Sequence, residues 1–529
     1  MEETPEIFPN LTPDLASSLF GAIYILDNLE RHKSRRILLQ AIASQSFGLQ
    51  HLRNLFCEAV DASLVNLARE CLEIIESKEL TYTQDEWIRK AHLRLGDITP
   101  FTAELLRSRL QGIPKKIQSN HSGPICYILH MSLPHNTTGY SMRTQEFVKA
   151  MMSSGQQIYC MTRPGFPVDI GQENFFEYDT VDGVTYYRAA EPSRIRSRQT
   201  SYIDQAADVL VKKFEELRPA IVMAASNHEN SAPALLAARR LGIPFVYEMR
   251  GLWELTKLSV NSRYKENPQF QRSFDLEAQI AESSDQVFTL TEGMAKELRL
   301  RGVSNARIDI LPNAADPERF KPRKRDEKIA SKLNISPKTV VIGYVGSFTP
   351  YEGLDDLIRA CGILHRRGRD FHILLIGDEA LHLKDQVIPE LRYLVSQEDL
   401  EKKTTMTGRI PASEVERFYS LVDISPIPRK LTPVTELVSP LKPFEAMSME
   451  KSVILPDLQA MLDIVQDGKT GAFYKKGNFL SLAEALDDLL LNPKKRKDLG
   501  QSARRWIVRK GNWKAVADRC ILAFESIRV

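Results

Sequence analysis

The sequence predicts an α/β protein: two doubly wound strand–helix units in tandem, preceded by an all-α segment. Three patterns point there. Ile125-Cys126-Tyr127-Ile128-Leu129 is an apolar run of buried-strand length, followed by a loop with Gly139 and an apolar-periodic helix over 142–152. The same order restarts at Val340-Val341-Ile342-Gly343-Tyr344-Val345-Gly346-Ser347-Phe348, with a helix from Glu352-Gly353-Leu354 to about Arg367. Residues 1–118 show only helical spacing. A chain alternating strands and helices buries a parallel sheet between helical layers.

In residues 1–118 the helical sets are Leu19, Ile23, Leu26, Leu29; Ile37, Leu38, Ile42; Leu55, Val60, Leu64, Leu67; and Cys71, Ile74, Ile75. Thr12-Pro13 caps and opens the first helix. Ala91-His92-Leu93-Arg94-Leu95-Gly96-Asp97 has the small-residue packing of a TPR-like hairpin, without the repeat period. No chemistry is visible here, and a packing or partner-docking appendage is the expected role. The polar stretch 115–122 marks a boundary.

The first α/β unit covers 119–315. After its opening strand, loop and helix, strands are read at 157–162, 184–188, 221–224, 245–248, 286–290 and 308–311, with helices at 202–217, 232–241 and 294–301. Ligands of open α/β sheets bind at the carboxyl ends of strands, where His228, Arg250, Trp253 and Glu254 fall. His228 suits a general base or a sugar hydrogen-bonding group; a neutral His capping the next helix is the plain alternative. The charged stretch Lys321 to Lys328 reads as a linker, and a second unit covers 335–511.

Within that unit, Glu436 to Pro456 is dense in chemistry. Ser439 is a candidate N-cap, with Pro440 and Pro443 at a helix start. Phe444, Ala446, Met447 and Met449 give the helix an apolar face, and Ser452-Val453-Ile454-Leu455 follows as a buried strand. Glu436, Lys442 and Glu445 lie within ten residues, beside helix N–H groups suited to phosphate.

This stretch resembles the acidic-pair motif of retaining glycosyltransferases of family 4, which have the GT-B fold of two facing Rossmann-like domains. Tyr247-Glu248 to Trp253-Glu254 and Pro312-Asn313-Ala314-Ala315-Asp316 are similar to further family segments. The resemblance spans 124–529. It implies that Glu436 contacts the donor sugar, that Glu445 binds the ribose, and that Arg409 lies near the base. Gly346, Ser347, Ser439 and Leu441 would contact the donor, and Gly139, Tyr140, Arg143, Arg250 and Trp253 would line the acceptor side. The segment 512–529 looks like the terminal helix crossing back to the first domain. The Glu436–Glu445 spacing is one residue longer than usual. The family's two phosphate-clamping cations are absent at Ser347 and at Tyr351 or Glu352, so Lys442 is the nearest substitute, with Arg409 and Arg429 as further candidates.

The implied activity is retaining transfer of a sugar from a UDP- or GDP-sugar to a glycan or lipid-linked acceptor, in surface polysaccharide synthesis. The implied route is front-face displacement, with His228, Lys442 and Glu436 as the candidate catalytic groups. Alternatives are a nucleotide-sugar 2-epimerase of the same fold and a non-catalytic subunit. Net charge is only +3, which gives no nucleic-acid signal. No GxGxxG is present, and Asp467-Gly468-Lys469-Thr470-Gly471 is a turn, not a phosphate-binding loop. Six scattered cysteines suit a reducing compartment, and neither a metal cluster nor a cofactor is expected. Without a signal peptide or spanning run, the expected place is cytoplasmic, with peripheral contact at the inner membrane face. Arg31-His32-Lys33-Ser34-Arg35-Arg36 and Arg194, Arg196 and Arg198 are solvated faces or contacts to anionic lipid.

Overall fold

The computed structural model describes Ala22, Leu39 and residues 49–527, except 62–63, 78–86, 89–90, 92–94, 96–99, 114–122, 173, 195–198 and 380–386. The expected helices at 12–42, most of 91–97, the 115–122 boundary, the basic run 31–36, Arg196 and Arg198 lie outside the described residues. Two compact units form: Met1–Phe101 with Pro192–Gln205, and Thr102–Glu191 with Ala206–Val529.

In the first unit, α1 (Leu49–Asp61) and α2 (Val65–Glu76) pack on each other. Leu52, Leu55, Phe56, Ala59 and Val60 of α1 meet Leu67, Ala68, Cys71, Leu72 and Ile75 of α2. These positions repeat at three and four residues, as a helix seam requires.

The second unit holds two sheets. In the first are β1 (Ile125–Leu129), β2 (Ile158–Thr162), β3 (Tyr178–Val181), β4 (Val184–Tyr187), β5 (Ile221–Ala225), β6 (Phe245–Met249), β7 (Gln286–Thr289) and β8 (Arg307–Ile310). Their order is β3-β4-β2-β1-β5-β6-β7-β8, parallel except for the β3–β4 hairpin. In the second are β9 (Val341–Val345), β10 (His372–Ile376), β11 (Thr404–Met406), β12 (Ile424–Pro426), β13 (Ser452–Pro456) and β14 (Ala472–Tyr474). Their order, β11-β10-β9-β12-β13-β14, is parallel throughout. The central strands β1, β5, β6, β9, β10 and β13 are buried at every residue, so they read as unbroken apolar runs.

Helices at the strand ends place the site. They are α3 (Gly139–Ser153), α4 (His228–Arg240), α5 (Trp253–Val260), α6 (Pro268–Glu282), α7 (Leu354–Arg366), α8 (Pro433–Leu437), α9 (Lys442–Ser448), α10 (Pro493–Arg509) and α11 (Trp513–Ile527). Helix α3 begins three residues earlier than the sequence suggests. Asn136 Oδ1 accepts from Thr138 N and from Ser141 Oγ, which sets the first turn at Gly139. Helix α8 has no counterpart in the sequence reading. Thr432 and Thr435 cap it reciprocally, with Pro433 in its first turn.

The last helix crosses back to the first sheet. Ala315 N donates to Gly511 O at 3.1 Å, and Trp513, Val516, Ala517, Cys520 and Phe524 enter the core with Phe147 and Phe288. Phe524 is 1% exposed. Phe524→Ala is therefore expected to lower the stability of this domain by about 3–5 kcal/mol. Urea denaturation followed by Trp fluorescence checks this; an unchanged midpoint contradicts the packing role.

Candidate active site

Glu352 is 2% exposed at the end of the turn after β9. Removing a carboxylate from water is costly unless cations meet it. Arg429 donates to Glu352 Oε1 through Nε (3.2 Å) and Nη2 (2.9 Å), and Lys442 Nζ lies 3.1 Å from the same oxygen. Tyr344 Oη donates to Oε2 at 3.0 Å. Burial pushes the Glu352 carboxyl up, but Arg429 and Lys442 outweigh it and hold it down to about 2. Burial pulls the Lys442 ammonium below its ordinary value against the attraction of Glu352.

Two glycines make room for this cluster. Gly346 ends β9 with φ +145°, and a Cβ there would sit 2.2 Å from Lys442 Cε. Gly353 has φ +70°, and its Cβ would sit 2.1 Å from Pro428 O. The Lys442 stem thus lies across Gly346, with its ammonium 5.4 Å from the centre of the Tyr344 ring.

Glu445, one turn further along α9, has its carboxyl pushed up to about 7. Burial is the main cause; Arg319 and Lys442 pull it down, and Glu416 and Glu146 push it up. Arg319 bonds Glu416 at 2.6 Å and reaches Glu146 at 3.5 Å.

The motif loop meets the first sheet. Asn313 Nδ2 donates to Ser439 O at 2.8 Å, and Thr291 Oγ1 donates to Leu437 O at 2.6 Å. Leu441 packs with the first domain's core beside Gly139. Asn313 Oδ1 also accepts from Arg143 Nη1 at 3.0 Å. Among the described residues no group of three or more His, Cys, Asp or Glu could hold a metal ion, and no helix is long and apolar enough to cross a membrane.

Two family models match the two halves of this architecture. Residues 138–314 match "Glycosyl transferase 4-like domain", and 325–506 match "Glycosyl transferases group 1", together about two thirds of the chain. The chain belongs to the group 1 glycosyltransferases of the GT-B fold. Among its relatives are the D-inositol 3-phosphate glycosyltransferase of Nocardia farcinica (27% identical, covering 43% of this chain and 49% of that one) and the alpha-D-kanosaminyltransferase of Streptomyces kanamyceticus (24%, 55% and 73%). The lipopolysaccharide 1,2-N-acetylglucosaminetransferase of Salmonella typhimurium is 24% identical over 40% of this chain and 55% of its own. The chain thus spans between about half and three quarters of these relatives' lengths. Sucrose-phosphate synthase from Thermosynechococcus elongatus shares the fold with a TM-score of 0.60 at 17% identity, covering 76% of this chain and 99% of that one. Anabaena HepE in complex with UDP does so at 0.58 and 14%, covering 76% and 100%.

In this glycosyltransferase several expected site residues take other places. Ser439 does not cap α9; the position before Lys442 is Leu441, without a side-chain cap, because Ser439 is bonded to Asn313 instead. Glu436 lies on α8 and turns away from Lys442. Its carboxylate bonds Lys476 and accepts from Gln459 N at 2.8 Å. Ser347 O accepts from Tyr344 Oη at 3.1 Å, in the turn that carries Glu352. Arg409 is exposed beyond β11.

Arg143 and Arg250, expected on the acceptor side, are both paired with a buried carboxylate. Both are buried on Glu248, itself 0% exposed. All five Arg143 N–H groups are engaged, by Glu248, Leu311 O, Pro312 O and Asn313. Arg250 bonds Glu248, Tyr140 O, Thr144 and Tyr127. Burial would push the Glu248 carboxyl up; Arg250 and Arg143 outweigh it, holding it down to about 2. Tyr140 is held too: its hydroxyl accepts from His130 N at 2.9 Å. The Trp253 ring meets His130 edge-on at 5.0 Å.

Glu352, Glu248 and Arg319 carry no role in the sequence reading. For Glu352 the signal was present: the family's cation is missing at Tyr351 or Glu352, and an acid there needs cations from elsewhere. Glu248→Ala leaves two guanidinium groups buried without their carboxylate. It is expected to destabilise the fold by about 3–5 kcal/mol. Chemical denaturation with circular dichroism measures this, and a loss below 1 kcal/mol, the range of roughly exposed pairs, contradicts it.

Proposed function

We propose that this chain is a retaining glycosyltransferase. It moves a sugar from a UDP- or GDP-linked donor to a glycan or lipid-linked acceptor in surface polysaccharide synthesis. The observation that carries this reading is the convergence of Arg429 and Lys442 on Glu352 beneath Gly346. A departing nucleoside diphosphate gains negative charge, and fixed cations there lower the barrier. The positions that usually hold them are Ser347 and either Tyr351 or Glu352 here. The acid at 352 draws in two cations from the motif loop and the strand before it. With Lys442 charged, the three ions sum to one positive charge, available to the diphosphate.

Glu445 accepts hydrogen bonds from the ribose hydroxyls, and Arg409 lies near the base. Backbone N–H groups at Ser347 and Leu441 add donors for phosphate, whereas that of Gly346 already donates to Ile376 O at 2.9 Å. His228 and Trp253 face the acceptor side from the first sheet. Domain closure excludes water, and the departing phosphate takes the acceptor proton. Support for the donor class comes from HepE, which was crystallised with UDP and with UDP-glucose. Support for a glycan or lipid-linked acceptor comes from the relative named for lipopolysaccharide.

A second reading, a nucleotide-binding subunit without turnover, is favoured by Glu436, which is paired with Lys476 rather than directed at the Lys442 cluster. Two experiments separate the readings. Calorimetry with UDP, GDP and ADP is expected to show one tight nucleotide, lost in Glu445→Ala; no binding of any overturns the donor assignment. Transfer to an added glycan acceptor is expected in the wild type and absent in Lys442→Ala, and near-normal turnover in that variant refutes the clamp.

Glu445 accepts from hydroxyls when ionised, and its carboxyl sits at about 7. It takes up a proton as pH falls through that value. Nucleotide affinity is therefore expected to weaken by up to about tenfold per pH unit below 7. A titration series that is flat from weakly acidic to weakly basic pH contradicts the ribose role.

A further inference from the structure

His228 opens α4 at the carboxyl end of β5. Its backbone N (2.7 Å) and ring Nδ1 (3.1 Å) both meet Glu277 Oε1. Tyr247, from β6, donates its hydroxyl to Glu277 Oε2. Glu277 comes from α6, 49 residues downstream, and is 2% exposed. Three elements thus converge on one buried carboxylate.

A helix start does not require this. Asn227 already caps α4, accepting from Glu229 N at 3.1 Å. Burying a carboxylate to serve one backbone N–H is a costly arrangement unless a charge is wanted there. The charged groups that bear on the imidazole are Glu277 from α6, Glu229 from its own helix and Glu254 from α5, all carboxylates. Arg301 pairs with Glu254 at 2.7 Å. Burial alone would lower the imidazole's proton affinity, but Glu277 more than offsets it, so the ring holds its proton above the ordinary histidine range. The ring is 11% exposed, and among the described residues its Nε2 has no hydrogen-bond partner.

We propose that Glu277 is a positioning residue that, with Tyr247, fixes the His228 ring with Nδ1–H on the carboxylate and Nε2–H presented to an oxygen of the bound substrate, a sugar hydroxyl or a phosphate. This rests on the reading of His228 as a group that faces substrate. It makes His228 a hydrogen-bond donor rather than a general base, which suits a transfer whose departing phosphate removes the acceptor proton.

The test is a histidine-selective 15N NMR titration of the full chain, with His228 assigned from His228→Gln. Wild-type His228 is expected to titrate above 6.5, the ordinary value. Glu277→Gln is expected to lower it by about one pH unit or more, and Glu277→Asp to recover most of the shift. The alkaline limb of kcat/KM moves down by the same amount in Glu277→Gln. A wild-type His228 titrating at or below 6.5, or one unmoved by Glu277→Gln, overturns the proposal, and so does an acidic limb that moves instead. Absence of transfer with every donor overturns the functional reading alone, because the titration needs no turnover.

Discussion

A buried carboxylate cannot stay ionised without partners, and Glu352 determines what surrounds it. Arg429 is pulled in from the end of β12 and Lys442 from the first residue of α9. Their approach fixes the backbone in turn. Gly346 must lack a Cβ where the Lys442 stem crosses, and Gly353 must lack one against Pro428. A single acidic side chain therefore sets the conformation of the β9 turn, the loop after β12 and the start of α9. These are the segments on which the proposed diphosphate site rests.

A second buried acid plays the matching part in the first sheet. Glu248 holds Arg143 and Arg250 at the strand ends, and Arg143 passes the constraint to Asn313 and so to Ser439 of the motif loop. The motif loop is thereby registered against the first domain's core. Arg319 adds a further tie, between Glu146 on α3 and Glu416, close to Glu445.

The architecture was legible because parallel strands buried on both faces leave continuous apolar runs, as at Ile125–Leu129 and Ser452–Pro456, and because glycine and proline mark the turns between them. Glu445 and Lys442 could be singled out from local spacing on one helix. Side-chain direction was not legible. Glu436 stands one residue further from Glu445 than the family spacing, and α8 turns it toward Lys476 and Gln459. Arg143 and Arg250 have the chemistry of phosphate ligands, and their shared partner Glu248 could not be read from local sequence. Ser439 is a good cap in isolation, but Asn313, 126 residues away, takes it. Each of these outcomes depends on a partner distant in sequence, and periodicity carries no information about such partners.

The central claim is that Arg429 and Lys442, gathered by Glu352, bind the donor's diphosphate. The most direct measurement compares calorimetric affinities for a nucleoside diphosphate and for its nucleoside, in the wild type and in Lys442→Met. The account predicts that the diphosphate is preferred by at least about tenfold in the wild type, and that the variant loses this preference while still binding the nucleoside. An undiminished preference in Lys442→Met would contradict it.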